Sequence, residues 1–199
     1  MAYPHFFDTL PSIALKDPLA KLLGVFENGE YTLSYTDIIK ASGHSCPTVA
    51  GAYLMAYVGL KKLYPNTSAL RGEIDVSFKE ALHVGVTGVT SQILSHITGA
   101  TDVSGFKGLG NSFARHGLMH FDVPMQGFLQ LKRLDTNSMV ELNYDASSII
   151  PHPNMQPLMQ KVLSGVATKE EQKEFGVLWQ ERVQRILVDA SKVIHVKML

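Results

Sequence analysis

The residues best equipped for chemistry fall together at 42–47, Ser-Gly-His-Ser-Cys-Pro. Cys46 is the only cysteine of the chain, and His44 stands two positions before it. Pro47 then opens an apolar, small-residue run, TVAGAYLMAYVGLKKLY. Proline suits the first helical position because the N–H it lacks would have no partner there. That places Cys46 at the N-cap, where free backbone N–H groups and the positive end of a helix dipole favour a thiolate. A soft sulfur and an imidazole at one helix mouth make half of a metal site. The plain alternative is structural: a small buried side chain at a helix start, with a hydrogen-bonded histidine beside it.

The elements that must position this pair follow from the flanking pattern. Ser34 or Thr36 caps a short helix, TDIIKAS, which breaks at Gly43 and delivers the chain to His44 and Cys46. The helix from Pro47 carries apolar residues on most sides, with Ala50, Gly51, Ala52 and Ala56 between larger ones, so it is expected to be buried and closely approached. Residues 69–78 alternate as a strand, with Ile74, Val76 and Phe78 on one side and Glu73, Asp75 and Ser77 on the other. A helix is expected through SQILSHIT to a cap at Gly99, then a glycine-rich loop at 101–111. Three strands, 112–121, 126–134 and 138–145, read as an antiparallel meander.

The flanks are simpler. Residues 1–16 read as an irregular arm, and Asp17-Pro18 opens a short helix. After the proline-rich stretch IIPHPNMQP, Met155–Leu163 is a short helix, and a Thr168–Glu171 capping box starts a longer one over about 169–190. The stripe from Phe175 through Trp179 to Leu187 marks a face that docks on the core or on a second subunit. The reading is therefore an α+β core at 1–150 with an N-terminal helical arm and a helical C-terminal extension at 151–199. Its mostly antiparallel sheet packs against the buried helix.

At 199 residues the chain can bury a sizeable core. Its 18 basic and 18 acidic residues cancel and form no basic cluster, which argues against nucleic acid as a partner. One cysteine excludes an internal disulfide framework. The opening MAYPHFFDTLPSIALKD lacks a basic region followed by an apolar run, and no stretch reaches the ~20 apolar residues of a membrane span. A cytoplasmic protein is expected, and its sparse charge is compatible with a homodimer.

GHSCP at 43–47, followed by the Gly-Ala-Tyr step at 51–53, resembles the FmdE-like family, proteins related to one component of formylmethanofuran dehydrogenase. Their hallmark is Gly-His-x-Cys-Pro before a Gly-Tyr-type helix. Downstream, Ser91-Gln92-Ile93, Thr98-Gly99 and Gly108-Leu109-Gly110-Asn111 occur in the matching order, so the likeness spans roughly residues 35–145. It implies an α+β domain paired into an intertwined dimer, and a metal, usually zinc or another divalent transition metal, in a cavity that could admit a small-molecule ligand. It implies His44 and Cys46 as ligands together with one from the loop after the strand. That later loop often holds a second cysteine in the family; here His83 is the residue with ligand chemistry at about that place. The family's C-terminal cysteine-rich zinc finger has no counterpart in this chain.

Other candidates compete. His116 and His120 could each supply the third ligand instead of His83, but on a strand their four-residue separation spans about 13 Å, too far for both to hold one ion. Lys107, in the glycine-rich loop, could balance an anionic ligand or cofactor. Cys46-Pro47 could alternatively present an axial thiolate to haem, with a histidine opposite. Cys46 as a nucleophile lacks a third, orienting group in the pattern. A metal-binding protein is thus the leading expectation, as an accessory or metal-dependent component, and a haem-binding protein the alternative.

Overall fold

A computed structural model describes residues 3–199. In chain order the elements are β1 (Ile13–Lys16), α1 (Pro18–Leu22), β2 (Glu30–Leu33), α2 (Tyr35–Ser42), α3 (Pro47–Leu63), β3 (Ala69–Leu70), β4 (Ile74–Phe78), α4 (Thr87–Thr98) and β5 (Met119–His120). They continue with β6 (Leu129–Arg133), β7 (Met139–Tyr144), α5 (Met155–Leu163), α6 (Lys169–Val188), α7 (Ala190–Val193) and β8 (Ile194–Met198). The architecture is α+β, with a five-stranded sheet in the order β5-β4-β6-β7-β8 and a smaller one in the order β2-β1-β3.

The organising element is α3, as its composition implies. From Val49 to Ala56 every residue of it is buried. It lies across β6, β7 and β8 on one side and meets α4 and α6 on others. Two glycines mark where the sheet comes closest. A Cβ on Gly51 would sit 2.5 Å from the Tyr144 ring, and one on Gly59 would sit 2.7 Å from Leu131 Cδ1. Below the helix, Val76, Leu129, Leu131, Val140 and Leu142 are wholly or almost wholly buried. Burial of this apolar surface is the main stabilising contribution, worth about 1.5–3 kcal/mol per large side chain.

Local signals set the helix ends. The Ser34–Asp37 capping box starts α2, and Gly43 in the left-handed region (φ 76°) ends it. Pro47 occupies the first turn of α3, with Lys61 and Lys62 in its last turn, and Thr168 with Glu171 caps α6 as expected.

Four expectations change. The strand read over 69–78 breaks at Gly72 (φ 87°) into β3, which pairs with β1, and β4, which belongs to the five-stranded sheet. The strand read at 112–121 shrinks to β5, because Phe113 (φ 64°) and Gly117 (φ 72°) turn the backbone out of extension. Its N–H groups instead serve the neighbouring loop, as Arg115 N–H donates to Phe106 O. β5 pairs parallel to β4, so residues 112–145 do not form a three-stranded meander; β4, β6, β7 and β8 do pair antiparallel in that order. The C-terminal segment is not wholly helical either. Ile194 to Met198 form β8, which runs from Tyr144↔Ile194 to Val140↔Met198 along β7. At five residues, the alternation of Ile194 and Val196 is too short to outweigh the helical pattern before it. Finally, the N-terminal arm carries β1, which pairs antiparallel with β2 and parallel with β3. The arm's first two residues lie outside the described ones.

Candidate functional site at the mouth of α3

Cys46 is the N-cap of α3 with extended backbone (φ −146°, ψ 169°), and its Sγ accepts the Val49 N–H at 3.5 Å. The sulfur is half-buried and belongs to no disulfide. His44 is exposed, and its Nδ1 lies 3.0 Å from Ser42 O. A carbonyl can only accept, so Nδ1 carries a proton in this contact, and in the neutral imidazole that tautomer leaves the Nε2 lone pair free. Fixing the imidazole through one nitrogen while the other stays available is the arrangement that metal-binding histidines use.

Four side chains from distant elements hold Ser45 and Pro47, the residues on either side of Cys46. Tyr35 of α2 shares a 3.0 Å hydrogen bond with Ser45 Oγ. Tyr144 of β7 donates to Pro47 O at 2.8 Å. From α6, Trp179 Nε1 and Gln180 Nε2 both donate to Ser45 O, at 3.0 and 3.1 Å. The stripe on α6 therefore docks on the core, and its indole also clamps the Cys46 turn. Burial pushes both phenols up, Tyr144 to about 12 and Tyr35 further, and the neighbouring Cys46 adds to the rise in each. Both phenols stay neutral through the physiological range and act as fixed hydrogen-bonding groups. Gln180 Oε1 is buried and has no hydrogen-bond partner among the described residues.

The other candidates are dispersed. His83 is exposed in the loop between β4 and α4. His116 is half-buried in the loop before β5. His120 lies on β5, with Nε2 2.9 Å from Asp75 Oδ2, so it is already engaged on the sheet. Lys107 is exposed and donates from Nζ to Val103 O at 2.8 Å, bracing its own loop. Among the described residues no three His, Cys, Asp or Glu side chains gather as a metal-holding group. Only the first two of the expected ligands, His44 and Cys46, share a turn. The cavities between β1 and α3 and between α3 and β8 open beside Tyr57 and Lys61, toward the other end of α3 from the sulfur.

What sequence reasoning missed here is the clamp. Tyr144 and Trp179 lie 97 and 134 positions from the backbone groups they hold, and nothing in local spacing links them. A cue to the Tyr144 contact was Gly51, a glycine inside a buried helix where something must come close.

Comparison of the sequence with family models and with curated proteins finds no match.

Proposed function

We propose that this is a cytoplasmic metal-binding protein whose His44 and Cys46 hold zinc or another divalent transition metal at the mouth of α3, in an accessory or metal-dependent role. The observation that carries this reading is the Nδ1 contact to Ser42 O, which leaves Nε2 of His44 free two residues from an N-cap sulfur. A thiolate and a neutral imidazole are a donor pair that suits zinc. The resemblance of residues 43–47 to the FmdE-like family points the same way.

Two protein ligands leave positions open on the ion, and an open position is what allows a bound metal to polarise a carbonyl or to lower the pKa of water. The chain's own contribution is placement. Tyr144, Trp179 and Gln180 hold the turn through its backbone and Tyr35 through the Ser45 hydroxyl, so the turn that carries the two ligands need not be ordered when a metal arrives. Homodimerisation is part of the proposal: Leu82, Val84, Val86 and Val89 are exposed around His83, and a second copy covering them could bring a further ligand.

Titration of the full chain with zinc, and with cobalt read by its thiolate charge-transfer absorption, tests this. About one ion per chain is expected, with affinity falling at least about tenfold in His44→Ala and the cobalt–thiolate band lost in Cys46→Ser. His83→Ala separates a two-ligand set, which it leaves unchanged, from a three-ligand one, which it weakens. A chain that takes up neither metal, or a Cys46→Ser variant that binds like wild type, overturns the reading.

A further inference from the structure

A second set of residues, sharing none with the mouth of α3, assembles around Asp17. A cavity of about 530 Å³ opens between α1, α4 and the loop after Gly99. Arg71 and Arg115 both line it. Arg115, only 6% exposed, donates from Nη2 to Asp17 Oδ1 at 2.6 Å. Arg71 donates from Nη1 to Asp17 Oδ2 at 3.1 Å and from Nη2 to His96 O at 3.3 Å. Asp17 also caps α1, accepting the Leu19 and Ala20 N–H groups.

One carboxylate therefore answers two guanidinium ions and a helix end, and among the described residues one positive charge is left without a counterion. Neither Arg71 Nε nor Arg115 Nε has a hydrogen-bond partner among those residues, although both atoms are buried. Leaving charged donors buried and unpaired is costly, so such an arrangement calls for a further acceptor. Space is kept for the guanidinium groups by glycine. A Cβ on Gly72 (φ 87°) would run into the Arg115 guanidinium, and one on Gly99 would lie 3.3 Å from Arg71 Cζ.

We propose that this cavity binds a small organic carboxylate, with its CO₂⁻ group facing Arg71 and Arg115 and its apolar body against Leu19 and Phe106. A single uncompensated charge is matched by a monoanion, and a guanidinium fork pairs geometrically with a carboxylate. Leu19 and Phe106 on the cavity wall suit a ligand with a hydrocarbon part, beyond a bare inorganic ion. His96, exposed at the cavity's rim, also lines it; partial desolvation and the Arg71 charge lower its imidazole from the ordinary value despite the opposing pull of Asp37. At neutral pH it is thus a neutral hydrogen-bonding group rather than a third cation beside Arg71 and Arg115.

The test titrates the full chain with acetate, benzoate and phenylacetate, following heat and thermal unfolding, with phenylacetamide and inorganic phosphate as comparators. Saturable binding of at least one aromatic carboxylate and a raised unfolding midpoint are expected, with no binding of the neutral amide. Arg71→Gln should weaken binding at least about tenfold, and Arg71→Lys less. Ser95→Leu, on the cavity wall but outside the Asp17 ion pairs, should abolish it while circular dichroism shows an intact fold, which covers the case of an Arg71 variant that does not fold. The proposal is overturned by any of four results: no saturation with all three carboxylates, equal binding of the amide, tighter binding of phosphate than of every carboxylate, or undiminished binding in Ser95→Leu.

Discussion

The mouth of α3 and the Asp17 cluster solve opposite problems with opposite materials. At the mouth the groups are neutral phenol, indole and amide, and most of them donate to backbone carbonyls of a single turn. Around Asp17 the groups are ions, and the pairs connect residues 54 and 98 positions apart. Neutral donors to carbonyls contribute about 1 kcal/mol each, and losing one is tolerable. Buried ions contribute little net stability when paired but are expensive when one partner is removed. The first region is built to hold a segment still; the second cannot lose Asp17 without leaving two guanidinium ions unpaired.

That contrast is most exposed to an Asp17→Ala variant. Removing the carboxylate that bridges Arg71 and Arg115 should cost about 3–5 kcal/mol, read from denaturant or thermal unfolding. A loss below about 1 kcal/mol would mean the two arginines are already balanced by something else and would erase the difference between the regions. Gly51→Ala probes the neutral side. Alanine gains up to about 1 kcal/mol in helix propensity, but its Cβ meets the Tyr144 ring, which is anchored by its bond to Pro47 O. Overpacking of about 1–3 kcal/mol should win, giving a net loss of about 1 kcal/mol and a looser mouth. A stabilised Gly51→Ala chain would show that the clamp is not rigid.

The smallest effect concerns the helix that leads into the mouth. Asp37 is partly desolvated, which raises its carboxyl, but the Ser34 side-chain and backbone hydrogen bonds and nearby Lys40 together outweigh this and hold it below its ordinary value. A depressed folded-state value means the contribution is present above the unfolded carboxylate pKa and disappears as pH falls through the folded one. Wild type should therefore exceed Asp37→Asn in unfolding midpoint near pH 7, with the gap closing toward about pH 3. A gap that widens in acid would contradict that sign.

The same contrast explains what could be read in advance. His44, Cys46 and Pro47 lie within four residues, so helix-end chemistry was visible without any knowledge of the fold. The burial of α3 was visible too, because small and apolar residues on most sides of a helix leave little of it for water. Arg71 and Arg115 each looked like part of a strand, and Asp17 like the start of a helix. Their meeting depends on β1 and β3 lying side by side and on the loop before β5 folding back beneath α4. Long-range pairing of that kind leaves no period in a sequence. β8 escaped for another reason: five residues are too few to distinguish a strand from the fraying end of α6 and α7.

The position of β8 also matters to how the molecule comes together in time. The strand that borders β7 arrives after α5, α6 and α7, so a long segment must close before its ladder can form. Until then β7 presents a free edge, an available template for pairing with another chain. Docking of α6 on α3 brings that last segment close and shortens the search. The C-terminal helices thus serve as an escort during folding, and any change that loosens α6 would lengthen the interval in which the sheet can recruit the wrong strand.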